Sequence, residues 1–425
     1  MFNKSFILKY LPISLLLITI NSHGQTLVLG NTIFWWIIQF FVLILFWIVK
    51  TKYTSHTHQK SLKYLDWYIY YVLLQFIVGA FISVGYWDWK ALLSNTMCLL
   101  IPLMAFASNS RSLLKHLFNH YIFYAAPLFL LFQFFIGRDV FGFFLAPFSF
   151  FILFFPILTF KWKVLILVIA GYVVFADFGA RSNLIKFIVP FLCAFIYYFK
   201  QMFTIKIFGF IRLILLMAPL IFFILATSGS FNIFNPQGDN KKEIIDKKRD
   251  FKGELVEDDL TADTRTFLYI EVLETAKRYN SWIFGRSPAR GNISDSFGGG
   301  DMSKRNERNG NEVSILNYFV WLGLVGVIFI FLLFYQATNL AIHYSNNIFS
   351  KIIGIFIAFR WAFAWVEDVN NFYIQYVYLW IFIGFCYSEN FRKMTDRQMK
   401  NWVLSIFESP KSFRFIKTSQ QLKLK

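Results

Sequence analysis

Charged residues are scarce in this sequence, and cysteine is nearly absent. Asp, Glu, Lys and Arg make up 16% of the 425 residues, whereas 57% are hydrophobic. A soluble protein of this length needs far more polar surface to cover its core, so the composition argues against a soluble fold. Cys98, Cys193 and Cys386 all fall inside apolar runs. Their scatter indicates small buried side chains rather than a disulfide framework or a metal site.

Motifs that depend on local spacing are also missing. The sequence has no Walker loop, no dinucleotide-binding fingerprint, no Ser-His-Asp pattern and no zinc-ligand spacing. Its six histidines are dispersed: His23, His56, His58, His116, His120 and His343. The usual sequence signs of a nucleotide-binding or zinc enzyme are therefore absent.

Long apolar runs fill most of the chain. Stretches such as Ile122–Ile136 and Val313–Tyr335 are almost free of charge. They predict spanning helices, because backbone in lipid must satisfy its own hydrogen bonds. We predict an all-α polytopic membrane protein with about twelve transmembrane helices and one large external loop. The predicted spans lie near 6–21, 31–49, 67–86, 91–107, 120–136, 141–160, 163–178, 184–200, 207–226, 313–336, 350–366 and 371–388.

The formal charge of +18 has an uneven distribution that predicts topology. If the polar stretch 228–312 lies outside, most Lys and Arg fall on the inner segments, and the loop itself is nearly neutral. That asymmetry follows the positive-inside rule and puts both termini in the cytoplasm. The basic excess then meets anionic lipid heads and needs no nucleic-acid partner. The first apolar run is either a retained helix or a signal peptide cleaved near Gly24.

Composition divides the chain into four parts. We predict an N-terminal bundle of about nine helices over 1–227. An external loop follows over 228–312, then about three more helices over 313–390. The segment 391–425 is a basic cytoplasmic tail, which either lies along the inner leaflet or is disordered.

The external loop has two sections of different character. Residues 237–260 mix charges densely, which is typical of a solvated strap. From Thr261 the pattern predicts a short helix, with Thr261 and Asp263 as caps. Its apolar stripe places Arg265 on the face that docks on the membrane domain. The stripe consists of Tyr269, Val272, Leu273 and Ala276.

Five arginines lie where an anionic head group at the membrane surface could meet them. Arg holds phosphate with two parallel hydrogen bonds and stays charged at any working pH. Each arginine has an alternative as a snorkelling or salt-bridged side chain, and for one of them the partner is Asp177. The five are Arg181, Arg265, Arg286, Arg290 and Arg360.

Carboxylates near these arginines are candidates for a general base. Glu312 stands at the mouth of the span that follows the loop, where it could instead stabilise the helix N-terminus. Glu367 and Asp368 are alternatives at the outer end of a later span. The run 257–259 is acidic and could hold a divalent metal, although ordinary solvated surface is the alternative.

These residues, in this order and spacing, resemble the superfamily of O-antigen polymerases and O-antigen ligases. The twelve-span layout with one large external loop extends the resemblance over nearly the whole chain. The matching motifs are Ala180-Arg181-Ser182-Asn183-Leu184, Asp263-Thr264-Arg265, Trp282-Ile283-Phe284-Gly285-Arg286, Asn311-Glu312-Val313-Ser314-Ile315-Leu316 and Trp321-Leu322-Gly323-Leu324-Val325-Gly326.

The resemblance implies a membrane-embedded glycosyltransferase, GT-C-like in architecture, in the bacterial inner membrane. It implies undecaprenyl-diphosphate-linked oligosaccharides as substrates, a periplasmic loop, no metal or other cofactor, and a chain-length regulator as a further partner. Family ligases carry a histidine near the start of the span after the loop. Asn311-Glu312 occupies that region here. This difference favours an O-antigen or exopolysaccharide polymerase over a ligase.

The resemblance also gives the site residues roles. Arg265 and Arg286 are expected to hold the donor diphosphate, with help from Arg181 and Arg290, while Glu312 takes the proton of the acceptor hydroxyl. Replacing Arg265 or Arg286 by Ala is expected to leave the protein folded and abolish long polymer. A lipid-glycan flippase and a non-enzymatic scaffold are the rival functions.

Overall fold

The computed structural model describes residues 4–21, 31–53, 62–176, 181–228, 245–249, 255–259, 265–294, 306–368 and 370–409. Several predictions lie outside these residues. They concern the cleavage site near Gly24, the acidic partner Asp177, the caps Thr261 and Asp263, and the tail beyond Ser409.

The described chain is helical nearly throughout. The α-helices are α1 (Lys4–Asn21), α2 (Thr32–Tyr53), α3 (Lys63–Ile82), α4 (Tyr86–Leu99), α5 (Arg111–His120), α6 (Phe129–Phe132), α7 (Phe141–Phe144), α8 (Pro147–Phe151), α9 (Phe160–Ala176), α10 (Arg181–Phe195), α11 (Ile205–Thr227), α12 (Thr266–Tyr279), α13 (Ser314–His343), α14 (Ile348–Phe363), α15 (Ile374–Tyr387), α16 (Glu389–Arg392) and α17 (Asp396–Ile406). The 3₁₀ segments are Ile101–Asn109, Ala126–Leu128, Arg138–Val140 and Ile152–Ile157, and Tyr121–Ala125 is a π-helical turn.

Within the described residues, five helices are long and apolar enough to cross a membrane. The fold is therefore that of an all-α membrane protein, as the composition predicts. The remaining predicted spans coincide with shorter helices or helical fragments, and their number stays a prediction. The five are Thr32–Tyr53, Lys63–Ile82, Tyr86–Asn109, Ile205–Ala226 and Ser314–His343.

The predicted spans at 120–136 and 141–160 are not regular α-helices, and their crossing of the membrane stays a prediction. Each run is divided into short α, 3₁₀ and π pieces. Pro127, Pro147 and Pro156 lie in these runs, and proline removes a backbone donor and collides with the preceding turn. Broken backbone is tolerated at membrane depth where surrounding protein covers it, and most of 141–158 is buried.

The N-terminal and C-terminal helices share one core. All 14 residues of α15 are buried, so protein surrounds this helix on every side. It packs closely against the 3₁₀ segment Ile101–Asn109, where Ser108 donates to the Ile381 carbonyl at 2.7 Å. A Cβ at Gly384 would collide with the carbonyl oxygen of Ala105. The predicted N-terminal and C-terminal parts are therefore interleaved in space.

Two small antiparallel sheets lie in the loop, and neither was predicted. Strand β1 (Ile245–Arg249) pairs with β2 (Leu255–Asp259), so part of the predicted strap is a hairpin. Strand β3 (Asn292–Ile293) pairs with β4 (Glu307–Arg308). Alternation over only two to five residues that are mostly charged is too weak a signal to predict a strand.

The tail begins as a helix docked on the bundle. Helix α17 buries Met399, Val403 and Ile406, while Trp402 packs edge-on against Phe391 with ring centroids 4.8 Å apart. For residues 396–406 this contradicts the alternative of disorder, whereas the predicted position along the inner leaflet stays a prediction. The apolar face of α17 packs against the protein.

Candidate functional site

Helix α12 of the external loop positions Arg265. The helix buries Leu268, Val272 and Ala276 against the membrane domain, as its apolar stripe predicts. Tyr269 donates to the Trp365 carbonyl at 2.5 Å, and burial raises the pKa of this phenol above its usual range. The helix begins one residue after Arg265, which is the N-cap rather than part of the stripe.

Arg265 forms an ion pair with the predicted base Glu312. Its Nη1 lies 2.6 Å from Oε2 of Glu312, and its Nε donates to the Val366 carbonyl at 3.4 Å. On the other side of the carboxylate, Nη2 of Arg308 lies 3.5 Å from Oε1. The Glu312 side chain is 56% exposed and that of Arg265 is 26% exposed. Two guanidinium groups therefore flank one carboxylate that remains open to solvent.

Hydrogen bonds among three asparagines fix the backbone next to Glu312. The Asn311 backbone donates to Oδ1 of Asn317 at 2.6 Å, and Nδ2 of Asn317 donates back to the Asn311 carbonyl at 2.8 Å. Nδ2 of Asn311 also donates to Oδ1 of Asn292 on strand β3, at 3.0 Å. All three amides are buried. The small β3–β4 sheet thus aligns Glu312 with the start of α13.

An apolar cavity of about 470 Å³ lies beside the Arg265–Glu312 pair. Thr266, which follows Arg265, lines this cavity, as does Val366, whose carbonyl accepts from Arg265. The positively charged Arg265 side chain therefore lies next to a cavity with an apolar wall. Helices α11, α12 and α14 and the residues after α14 form that wall, through Ala218, Pro219, Phe222, Phe223, Ala226, Thr266, Tyr269, Ile270, Leu273, Phe359, Ala362, Phe363, Trp365 and Val366.

Arg286 occupies a different setting from Arg265. Its Nη2 pairs with Glu307 at 2.9 Å, and its Nη1 donates to the Gly291 carbonyl at 2.5 Å. The guanidinium also stacks over the Tyr279 ring, 3.8 Å from its centroid. The Arg286 and Glu307 side chains are only 9% and 6% exposed. This geometry favours a structural role, and contact with a diphosphate stays a prediction.

Arg290 joins the loop to the turn between α3 and α4. Its Nη1 lies 3.5 Å from Oδ1 of Asp88, and Nη2 donates to the Ile82 carbonyl at 3.2 Å. The Asp88 carboxylate in turn accepts from the Val84 backbone at 3.0 Å. The predicted diphosphate contact of Arg290 is untested, and its visible contacts are those of a tether.

The last two predicted arginines lie on other helices. Arg181 is exposed at the first residue of α10. Arg360 is buried within α14, and its Nε has no hydrogen-bond partner among the described residues. The structure thus brings Arg265 and Glu312 together directly, but it shows no contact that joins Arg181 or Arg360 to them.

Two functional candidates escaped sequence reasoning. Arg308 shares Glu312 with Arg265, and its spacing of four residues from Glu312 was the available signal. Lys186 is buried in α10 and forms an ion pair with Glu367. A basic residue in a short outer segment carries no sequence signal for a buried partner 181 residues away.

Asp368 and Glu367 belong to a buried polar cluster rather than to the exposed group formed by Arg265, Arg308 and Glu312. Asp368 accepts from Ser314 at 3.2 Å and from the Asn370 backbone at 2.8 Å, and the Asn371 side-chain amide also donates to it. Burial raises the pKa of Asp368 to about 6, although these donors act in the opposite direction. The cluster connects the outer ends of α10, α13, α14 and α15.

No family model, curated protein or solved structure matches the chain.

Proposed function

We propose that the protein is a membrane glycosyltransferase that polymerises lipid-linked glycans, acting on undecaprenyl-diphosphate-linked repeat units. The observation that carries this proposal is the Arg265–Glu312–Arg308 cluster next to an apolar cavity. A lipid diphosphate has a dianionic head joined to a long hydrocarbon tail. The cluster supplies cations for the head, and the cavity supplies an apolar surface for the start of the tail.

In the proposed reaction the diphosphate replaces Glu312 as the partner of Arg265 and Arg308. An arginine binds phosphate oxygens with charge-assisted hydrogen bonds at least as well as a carboxylate. The released Glu312 then accepts the proton of the acceptor hydroxyl. The acceptor oxygen forms a bond to the anomeric carbon, and the bond from that carbon to the phosphate oxygen breaks. The electron pair leaves on the lipid diphosphate, where both guanidinium groups stabilise the charge.

The topology belongs to the same proposal. We place the protein in a bacterial inner membrane, with twelve GT-C-like spans, a periplasmic loop and both termini in the cytoplasm. The positive-inside charge distribution supports this orientation. A chain-length regulator is the protein partner that polymerisation calls for. Transfer to a lipid A core acceptor instead of a repeat unit would make the protein a ligase, with the same donor site.

Reconstituted liposomes supplied with lipid-linked repeat unit alone test the proposal. The native protein is expected to form polymer, and the Arg265→Gln variant to lose at least tenfold in rate. Ala362→Trp, which fills the cavity beside Arg265, is expected to reduce the rate similarly. Ile33→Trp introduces the same side chain in a separate apolar groove lined by α2, α3 and α4 and serves as the control. No polymer from the native protein would refute the enzymatic proposal.

A lipid-glycan flippase is the second candidate, and two observations favour it. Transporters carry buried ionisable groups and broken spanning helices. Lys186 and Glu367 form such a buried pair, and α13 departs from helical geometry at Gly323. The two functions differ in what a deletion strain accumulates. Single repeat units on lipid at the outer face indicate lost polymerisation, whereas units retained at the inner face indicate lost flipping.

A further inference from the structure

The longest helix among the described residues is interrupted where a loop segment meets it. Within α13, Gly323 has φ 67° and ψ −166°, which is far from helical geometry. A side chain at Gly323 would collide with the carbonyl oxygen of Ile283. Gly285 also has a positive φ, and a Cβ there would lie 2.6 Å from the Gly323 nitrogen. Two glycines therefore allow two backbones to approach in direct contact.

The segment Trp282–Arg286 pairs with the backbone groups that this break exposes. Leu324 donates to the Trp282 carbonyl at 2.9 Å, and Val325 donates to the Ile283 carbonyl at 3.2 Å. In return, the Arg286 backbone donates to the Val320 carbonyl at 2.6 Å. The loop thus takes the place of the helical hydrogen bonds that Gly323 interrupts.

Helix α3 satisfies the carbonyls that remain. The Tyr71 hydroxyl donates to the Leu322 carbonyl at 2.7 Å, and Nε2 of Gln75 donates to the Phe284 carbonyl at 3.1 Å. Non-helical backbone is tolerated in a bilayer only where protein groups satisfy it in this way. The pairing therefore gives protein partners to the carbonyls of Trp282, Ile283 and Phe284.

Two independent distances place this contact below the membrane surface. Leu322 lies eight residues into α13, which is roughly 12 Å from the start of that helix at 1.5 Å per residue. Tyr71 lies eleven residues before the end of α3, roughly 16 Å along that helix. The hydrocarbon core is about 30 Å thick, so the two depths, measured from the helix ends, bracket its midplane at about 15 Å.

The surface of α3 between these levels is apolar and exposed. Large apolar side chains point outward all the way from the level of Tyr71 to the helix end, with Leu74 55% exposed and Phe81 86% exposed. On α13, directly after the break, Leu324 and Ile328 are 45% and 54% exposed. Hydrocarbon is the only medium in which such a continuous exposed apolar surface is stable on spanning helices.

We propose that Trp282–Gly285 is a re-entrant loop tip, whose apolar side chains contact the acyl chains of the leaflet on the loop side. Ile283 and Phe284 are 58% and 62% exposed at the depth where their neighbours face lipid. The tip anchors the external loop in the bilayer and holds it against α13. This inference rests on depth and hydrogen bonding and is independent of the proposed glycosyl transfer.

Fluorescence quenching by lipid tests the position of the tip. Ile283→Cys is labelled with a bimane dye, and the full-length protein is placed in phosphatidylcholine vesicles with brominated acyl chains. Leu74→Cys, on α3 beside the tip contact, gives the deep reference. Val84→Cys, 82% exposed in the turn after α3, gives the surface reference. Cys193 and Cys386 are buried and Cys98 is partly buried, so labelled native protein supplies the background, including any label on Cys98.

The label at residue 283 is expected to be quenched as strongly as the label at residue 74, several-fold more than at residue 84. It should also be protected from a membrane-impermeant maleimide. Quenching no greater than at residue 84, or ready reaction with the maleimide, would overturn the proposal. If Ile283→Cys does not fold, Phe284→Cys gives the same comparison from the neighbouring position.

Discussion

Arg265 and Arg286, which the sequence analysis treats as equivalent, are expected to differ in how much their replacement by Ala destabilises the protein. Arg286→Ala leaves the Glu307 carboxylate, 6% exposed, without its cation. An unpaired buried charge of this kind destabilises a fold by about 3–5 kcal/mol. Arg265→Ala removes an ion pair whose acid is 56% exposed, and such pairs contribute about 0–1 kcal/mol. We therefore expect Arg286→Ala, contrary to the sequence-based expectation, to unfold the loop.

Thermal unfolding in detergent, followed with a thiol-reactive dye, measures this difference. Cys193 and Cys386 are buried and react only as the bundle opens, whereas the signal of the partly buried Cys98 in the folded protein is subtracted as background. The Arg265→Ala variant should unfold within a degree or two of the native protein, roughly the effect of a weak surface pair. The Arg286→Ala variant should unfold at a clearly lower temperature. Polymer formation, measured on the same preparations, should be lost in both.

A double substitution separates the cause of the lost stability from the cause of the lost polymer formation. Arg286→Met with Glu307→Gln removes both charges and leaves no unpaired ion, which usually restores much of the stability. We expect this variant to recover its unfolding temperature and its polymer formation together. If Arg286→Ala unfolds like the native protein yet makes no polymer, Arg286 acts on the substrate, and the structural argument is refuted.

Three further predictions concern the buried cluster and the broken helix. Lys186→Met should lower the unfolding temperature by leaving Glu367 unpaired, and adding Glu367→Leu should recover most of it, as a double-mutant cycle would measure. Gly323→Ala should reduce the yield of folded protein, because Gly323 has a positive φ. Gly310→Ala is the control and should not reduce the yield, because the added methyl group meets open space. Size-exclusion chromatography measures both yields. The pKa of Asp368 lies above its ordinary value of 3.8, at about 6. The stability that this protonated carboxyl contributes is therefore lost as pH rises through about 6, so the unfolding temperature should fall from about pH 5 to about pH 7 and fall less in Asp368→Asn.

Local pattern was enough to predict the features that depend on neighbouring residues. The apolar periodicity of α12 gave its buried face, and the position of Glu312 before a long apolar run gave its place at a helix mouth. Contacts between distant segments were not accessible in this way. The Arg290–Asp88 pair joins residues 202 positions apart, and no one-dimensional pattern encodes that distance.

Proline and glycine explain why some of the predicted spans depart from regular α-helix where they do. Hydropathy averages over a window and is insensitive to single residues, so the runs containing Pro127 and Pro156 resemble continuous spans. The same average conceals Gly323, although its effect is to open α13 to a second segment of chain. In each case the backbone, rather than the hydrophobicity, decides the geometry.

The difference between the two arginines also bears on how a diphosphate site can exist without its ligand. A guanidinium that awaits an anion at the edge of a membrane needs a temporary partner, because an isolated charge there is costly. Under the proposed function, Glu312 serves Arg265 in this way, and because Glu312 is itself exposed it can leave when a phosphate arrives. Glu307 cannot leave Arg286, because both side chains are enclosed and the Gly291 carbonyl and the Tyr279 ring hold the same guanidinium. An exchangeable acid beside one arginine and a fixed acid beside the other is the arrangement expected of a ligand site supported by a rigid loop.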